Sequence, residues 1–420
     1  MYAIILIGGI CSGKTSLANK LSLSAGLHIV SKDQCIYESD MLQRQGIKKA
    51  WDTIRAERIS ELEGKNLIFD ETLRVGKLDE IKRMGYTIIG VQLSTDLAER
   101  NRRLVLRNKT RKELMCQLSE ISGIDLEAMS QKKRRDLWRS GDFINSIPKN
   151  KQSLFDETLK QIYMLGSLFI KDENPNPACF PQLDYIVDFD SLDIEDFKNP
   201  NVIISKGDTY HSYLKSWSKK VKYCIWDVGG VFYDYSLQPL NDWLVEHKNN
   251  PANIVDSLSQ KSIFNDYMSG KMNFRDFCCS LCKLHGIPYS TEYDSEIEKC
   301  LHKGIGDMFT ETESAILKLK KRGLINCVLS NALPALADDG NYPDLIEPEH
   351  RFYSFEIKSL KPNNDIYVAT RDNLKTSFNE LIFIDDKERN VIAAKDLGIY
   401  SITFDRNTIL AELSKVFGNL

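Results

Sequence analysis

Three things are scarce in this chain of 420 residues. It has no long low-complexity tract, so none of it reads as a disordered tail or a fibrous repeat. It opens without a basic stretch, and its first apolar run, Tyr2 to Ile7, is too short for a signal peptide or a membrane span. A cytoplasmic protein with no membrane partner is the expectation. It also lacks a cysteine framework: the 10 Cys show no regular spacing, which suits reduced thiols rather than disulfides. Net positive charge is missing as well. With 56 Lys+Arg against 59 Asp+Glu, the formal charge is −3, which excludes a basic coat for nucleic acid. The charge is uneven, though. Residues 1–220 hold 34 Lys+Arg and 30 Asp+Glu, and the remainder holds 22 and 29. What is present is a 42% apolar composition over a length that argues for two domains or more.

The first half is organised around Gly8 to Thr15, which reads Gly-Gly-Ile-Cys-Ser-Gly-Lys-Thr and fits G-x-x-x-x-G-K-[ST]. Gly8 and Gly13 permit backbone angles that a side chain would forbid. Successive N–H groups can then form a cradle for phosphate oxygens, aided by the N-terminus of the following helix. Gly8, Gly9, Ser12, Gly13, Lys14, Thr15 and Ser16 are the candidate ATP-binding set, with Lys14 toward the β- and γ-phosphates and Thr15 a Mg²⁺ ligand. The apolar run before the loop reads as a buried strand. Leu17, Ala18 and Leu21 after it have helical spacing.

Further strands are expected at Leu27 to Val30, at Asn66 to Phe69 and at Tyr86 to Leu93. The run Leu27 to Val30 is followed by Asp33, and Asn66 to Phe69 by Asp70 and Glu71, with Asp70 a candidate Mg²⁺ ligand through water. Then comes a stretch dense in cations, including Arg100, Arg103, Arg107, Arg111, Lys132 to Arg135 and Arg139. Arg100, Arg103 and Arg107 are spaced to share one helix face. One or two of them are expected to stabilise charge on a transferred phosphoryl group, with Arg103 as the candidate. Alternating strands and helices imply a parallel, doubly wound sheet.

Residues 1–206 therefore resemble a P-loop kinase of the nucleoside/nucleotide or polynucleotide kinase type. The resemblance implies that Asp33 orients or deprotonates the acceptor hydroxyl. The polar stretch 207–221 reads as a linker.

A second centre begins at Tyr223-Cys-Ile-Trp-Asp227-Val-Gly-Gly. Cys327-Val-Leu-Ser330-Asn331, Lys361-Pro362 and Leu381-Ile-Phe-Ile-Asp385-Asp386 follow in that order. Three of the four signals end apolar strands, and such ends face one crevice in an open α/β sheet. An Asp nucleophile, a hydroxyl and a Lys for a phosphate, and paired acids for Mg²⁺ make a consistent set.

Residues 222–420 are identified here as resembling the haloacid dehalogenase-like (HAD-like) hydrolases. The resemblance implies a Rossmannoid domain with a helical cap at 234–320, and Mg²⁺-dependent phosphatase activity. Asp227 matches the nucleophile, Ser330 and Lys361 the phosphate-holding residues, and Asp227, Asp385 and Asp386 the metal-binding acids. Gly229 stands where these phosphatases usually carry a second Asp. Within the cap, Cys278, Cys279, Cys282 and His285 have some zinc-like spacing, but Phe277, Cys278, Leu281 and Cys282 fit the apolar face of one helix.

The whole chain is expected to be α/β, with two doubly wound parallel-sheet domains. Its expected function is bifunctional: phosphorylation of a small-molecule hydroxyl acceptor using ATP and Mg²⁺, and hydrolysis of a phosphomonoester. A nucleic-acid end-healing kinase–phosphatase is the alternative, and an ATP-gated regulatory protein with a degenerate hydrolase domain is a third.

Overall fold

A computed structural model describes residues 1–8, 12–70, 75–165, 176–247, 258–337 and 345–418. The chain divides into two compact units, Met1–Tyr213 and Leu214–Leu420. Both are mixed α/β with a parallel central sheet. Among the described residues, no helix is long and apolar enough to cross a membrane.

Unit 1 holds β1 (Tyr2–Ile7), β2 (His28–Val30), β3 (Leu67–Phe69), β4 (Thr87–Gln92), β5 (Tyr185–Asp188) and β6 (Asp208–Thr209), in the spatial order β2-β3-β1-β4-β5-β6. All pairings are parallel except β5 with the two-residue β6. β1 is central and every one of its residues is buried. Its alternate side chains enter two different cores. Tyr2, Ile4 and Leu6 meet Leu17, Ala18 and Leu21 of the helix Lys14–Ala25. Ala3, Ile5 and Ile7 meet Ile59, Leu78 and Ile81 on the other face. This is why the strand reads as a continuous apolar run rather than an alternating one.

The chain leaves β1 in one direction, toward β2, and crosses back to β4 on the other side. The C-terminal end of β1 is therefore a topological switch point. A separate helical core of Leu114, Leu118, Trp138, Phe155 and Leu159 lies within the same unit.

Unit 2 holds β7 (Tyr223–Trp226), β8 (Tyr233–Tyr235), β9 (Ile305–Met308), β10 (Ile325–Ser330), β11 (Arg351–Tyr353), β12 (Leu381–Asp385) and β13 (Tyr400–Thr403). Its main sheet is wholly parallel, in the order β11-β10-β7-β12-β13. β7 is central, and the order reverses between it and β12. β8 and β9 form a separate antiparallel pair. Helices Gln238–Glu246, Leu258–Met268, Phe274–Leu284 and Glu292–Lys303 lie in sequence between those two strands. They share a core of Leu240, Trp243, Phe264, Phe277, Leu281, Ile297 and Leu301. Cys278 and Cys282 are fully buried in that core. Burial pushes both thiols above their ordinary pKa, as suits small apolar fillers.

Two expectations about organisation differ from what is seen. The stretch 207–221 carries β6 and the helix Tyr210–Ser218, in which Leu214 and Trp217 are buried. Its polar composition conceals those two anchors. The helix Thr310–Lys321, within the stretch read as cap, buries Thr312, Ala315, Ile316 and Leu319. It accepts a hydrogen bond at Ile316 O from Asn326 Nδ2 of β10 (3.3 Å), so its packing partner is the central sheet.

Glu380 ties the starts of β7 and β12 together. It forms a capping box with Ser377, accepts from Thr376 Oγ1 at 2.7 Å, and pairs with Lys222. Burial alone would raise its pKa, but these partners outweigh burial and push it down to about 2. A depressed carboxylate stabilises the fold above its unfolded pKa, and the benefit disappears as pH falls toward the folded value. Glu380→Gln is expected to destabilise the protein at pH 7 by on the order of 1 kcal/mol, after screening by water around Lys222. Thermal unfolding of both proteins checks this: the gap should be full at pH 7 and closed near pH 2. A gap independent of pH would rule out the ionic contribution.

Candidate active sites

In unit 2, three strand ends converge. Asp227 follows β7, Ser330 ends β10 and Asp385 ends β12. The Asp227 amide donates to Ile384 O at 2.8 Å, which holds the two central strand ends side by side. Lys361 comes from the loop before the helix Asn364–Leu374. Its ammonium lies 2.7 Å from Asp227 Oδ1 and 2.7 Å from Asp385 Oδ2, and donates to Leu329 O at 2.7 Å. All three side chains are essentially buried.

Asp385 is further held by Asn390 Nδ2, at 2.9 Å from each carboxylate oxygen, and by the Lys387 amide at 2.8 Å. Asn331 holds the Lys361 backbone at both ends: its Oδ1 accepts from Lys361 N at 2.8 Å, and its Nδ2 donates to Lys361 O at 3.0 Å.

Asp386 differs from Asp385. It is half-buried, and its Oδ1 lies out of solvent with no hydrogen-bond partner. Ligand atoms of Asp227, Asp385 and Asp386 all lie within 4.8 Å of one another. Three carboxylates thus face two ammonium groups, the buried Lys361 and the half-exposed Lys387, whose Nζ lies 3.7 Å from Asp386 Oδ1, leaving surplus negative charge. Burial raises the pKa of Asp227, against the pull of Lys361 and with the push of Asp385. Burial also raises that of Asp386. For Lys361, burial would lower the pKa, but the two carboxylates prevail and it stays charged.

An all-oxygen donor set with a buried oxygen that makes no hydrogen bond suits a hard divalent cation. Gly230 permits this closeness. Its φ is +83°, and a Cβ there would sit 2.6 Å from Asp386 Oδ2. At Gly229 a Cβ would meet nothing within 4 Å.

The site opens into a cavity of about 1170 Å³. Asp227, Ser330, Lys361 and Asp386 line it, together with Asp234, Phe264 and Leu333. Asp234 and Asn390 are the residues that sequence reasoning passed over as site members. Asn390 was visible only as part of a motif. Asp234 was visible as an acid following the apolar run Val231 to Tyr233.

In unit 1, Gly13 adopts φ 100°, ψ 9° at the N-cap of the helix Lys14–Ala25. Lys14 Nζ donates to Gly8 O at 2.7 Å. Ser12 is buried, and its carbonyl accepts from Thr95 Oγ1 at 3.3 Å. Thr15 and Ser16 are exposed. Gly9 and Glu71 lie outside the described residues.

Asp33, Asp70 and Lys14 are brought together. Each carboxylate feels the Lys14 charge, and Asp70 feels Asp33. Burial pushes Asp70 up to about 6, against a hydrogen bond from Ser31. Asp33 is also raised by burial, while Lys32, Arg107 and Arg111 pull it down.

The helix Leu97–Ser122 separates the three arginines that share its spacing. Arg100 is buried, Arg103 Nη1 lies 3.6 Å from where a Gly13 Cβ would be, and Arg107 acts on Asp33. Two other cations of the basic stretch are engaged in packing. Arg139 Nε donates to the fully buried Asp40 at 2.6 Å, Arg135 Nε at 3.1 Å, and Tyr163 OH at 2.5 Å.

No protein-family model matches the chain. Over 111 residues it is 36% identical to bifunctional epoxide hydrolase 2 of Sus scrofa, a match spanning 25% of this chain and 20% of that protein. The corresponding mouse protein is 32% identical over 114 residues. The chain thus spans about a fifth of the length of the curated relatives it matches. Among solved structures it is similar to a HAD family enzyme from Bacteroides thetaiotaomicron in complex with magnesium and inorganic phosphate. There the identity is 22% and the TM-score 0.39, over 46% of this chain and 98% of that one. It is also similar to L-2-haloacid dehalogenase from Xanthobacter autotrophicus with chloropropionic acid covalently bound. In that case the identity is 16% and the TM-score 0.33, over 43% of this chain and 76% of that one.

Proposed function

We propose that unit 2 is a Mg²⁺-dependent phosphomonoester hydrolase of the HAD-like type. The observation that carries this reading is the buried Lys361 ammonium held 2.7 Å from both Asp227 and Asp385, with an oxygen of Asp386 that makes no hydrogen bond beside them. Asp227 and Asp386 would hold Mg²⁺, with Asp385 held in place by Lys361 and Asn390. When bound, the cation supplies charge neutralisation on the phosphoryl oxygens.

The chain's own residues do the rest. Asp227 attacks phosphorus, the bond to the leaving oxygen breaks, and that oxygen takes a proton from water. Lys361 keeps Asp227 ionised despite its burial and offers positive charge to the phosphoryl group. Ser330, on the cavity wall, hydrogen-bonds a phosphoryl oxygen. The closed backbone contacts of Asn331 hold Lys361 in register, so the nucleophile is positioned before substrate arrives.

The test is phosphate release from a panel of phosphomonoesters. Release should require Mg²⁺, vanish with a chelator and return when Mg²⁺ is restored. Release unaffected by chelation would reject the reading.

Unit 1 supports a second reading, an ATP-dependent phosphotransferase. It rests on the gathering of Lys14, Asp33 and Asp70 at the switch point where the glycine loop leaves β1. In this reading the left-handed Gly13 opens the turn that aims backbone N–H groups at phosphate. Asp33 orients an acceptor hydroxyl, and Arg103 and Arg107 meet developing charge from the adjacent helix. The acceptor is a small metabolite, nucleoside or nucleotide in the first instance. A polynucleotide acceptor is the competing outcome of the same transfer assay.

A further inference from the structure

We propose that Asp234 is the base that activates the water in the second half of the unit 2 reaction; this rests on the phosphomonoesterase reading above. Attack by Asp227 leaves the phosphoryl group on its carboxylate. Turnover then requires water to attack phosphorus while losing a proton. Gly229 brings no side chain to this task, and the space beyond its Cα is open for 4 Å. Another wall of the cavity must take the proton.

The wall offers few groups that can. Lys361, Lys387 and Arg389 line the cavity as cations and accept nothing. The Tyr235 hydroxyl is pushed well above its usual range by burial and stays protonated. Asp386 belongs to the cation. Asp234 is the carboxylate left on the wall.

Its setting suits the task. It lies in β8 at a register shift, between Tyr233 paired to Met308 and Tyr235 paired to Ile305 of β9. The residue is exposed to solvent as well as lining the cavity, and its carboxylate makes no hydrogen bond or ion pair among the described residues. A solvent-linked carboxylate on the cavity wall can receive a proton inside and release it outside.

The water oxygen forms a bond to phosphorus, and the bond from phosphorus to the Asp227 oxygen breaks. Its electron pair restores the Asp227 carboxylate. The water proton passes to Asp234 and then to bulk water, and inorganic phosphate leaves.

The experiment uses p-nitrophenyl phosphate with the full chain and Mg²⁺, because its leaving group departs without a proton. Asp234→Asn is expected to slow steady-state turnover by roughly 100-fold. It should also release a rapid burst of about one p-nitrophenolate per active site, because phosphoenzyme forms and then waits. Mass spectrometry after acid quench should find the phosphoryl group on Asp227. Asp234→Glu should recover part of the turnover, and it carries the test if the Asn variant melts early.

Wild-type turnover with no burst in Asp234→Asn would overturn the inference. So would a folded variant that loses burst and turnover together, since the residue would then act before the phosphoenzyme. A wild-type protein that neither releases p-nitrophenolate nor traps phosphate would overturn the phosphomonoesterase reading itself.

Discussion

Asp227→Asn is expected to abolish phosphate release, by roughly 10⁴-fold or more, without unfolding unit 2. The size of the loss follows from removing the atom that bonds to phosphorus. Asp386, the other acid assigned to the cation site, would be taken up by the cation, and removal of a nucleophile is not made up by its neighbours. The effect on stability runs the other way. Asp227 and Asp385 share one buried ammonium, 2.7 Å from each. The three buried side chains carry a surplus negative charge that folding must desolvate. Asparagine keeps the shape and removes the surplus, while Asp385 remains to pair Lys361. The variant should therefore melt at the wild-type temperature or above, by up to about 2 kcal/mol. Calorimetry beside the activity assay checks both signs. A dead variant that melts well below wild type would mean that Asp227 is structural.

Lys14→Ala is the second large effect, and it falls on unit 1. A charge-assisted hydrogen bond to phosphate is worth roughly 1.5–3 kcal/mol. ATP affinity should accordingly drop by about 10- to 150-fold. Transfer should drop further, by on the order of 10³-fold, because Lys14 would also stabilise charge as it develops on the β- and γ-phosphates. The structural loss is expected to be small, since the Lys14 side chain, which donates to Gly8 O, is partly exposed. Titration with ATP and transfer of labelled γ-phosphate to a pool of metabolites measure the two losses separately. Unchanged affinity and unchanged transfer would remove Lys14 from any phosphate site.

The readable parts of this molecule are those where chemistry and local pattern coincide. β1 and β12 are short apolar runs that end at a glycine loop or a pair of acids. Such runs are the signature of strands buried on both faces. The clustering of Asp33 with Asp70, and of Asp227 with Lys361 and Asp385, was legible because parallel strands present their C-terminal ends to one crevice.

What stayed hidden depends on partners far away in sequence. Arg135 and Arg139 read as part of a cationic face, yet they close on Asp40, 95 and 99 residues distant. A buried acid with two guanidinium partners leaves no periodic trace. Asp385 and Asp386 are adjacent and chemically alike in sequence. Only the fold separates them, by giving Asp385 the contacts of Lys361 and Asn390 and leaving an Asp386 oxygen without a hydrogen bond. The helix Tyr210–Ser218 was hidden because seven polar or half-polar residues surround its two anchors, Leu214 and Trp217.

The most direct test of the central claim is to trap the covalent state. Wild-type protein is mixed with Mg²⁺ and p-nitrophenyl phosphate, quenched in acid during turnover, digested and analysed by mass spectrometry. The account predicts a phosphoryl group on the peptide carrying Asp227, at Asp227 itself, and its loss in Asp227→Asn. Continuing turnover with no phosphoryl group on Asp227, or with one on another side chain, would contradict it.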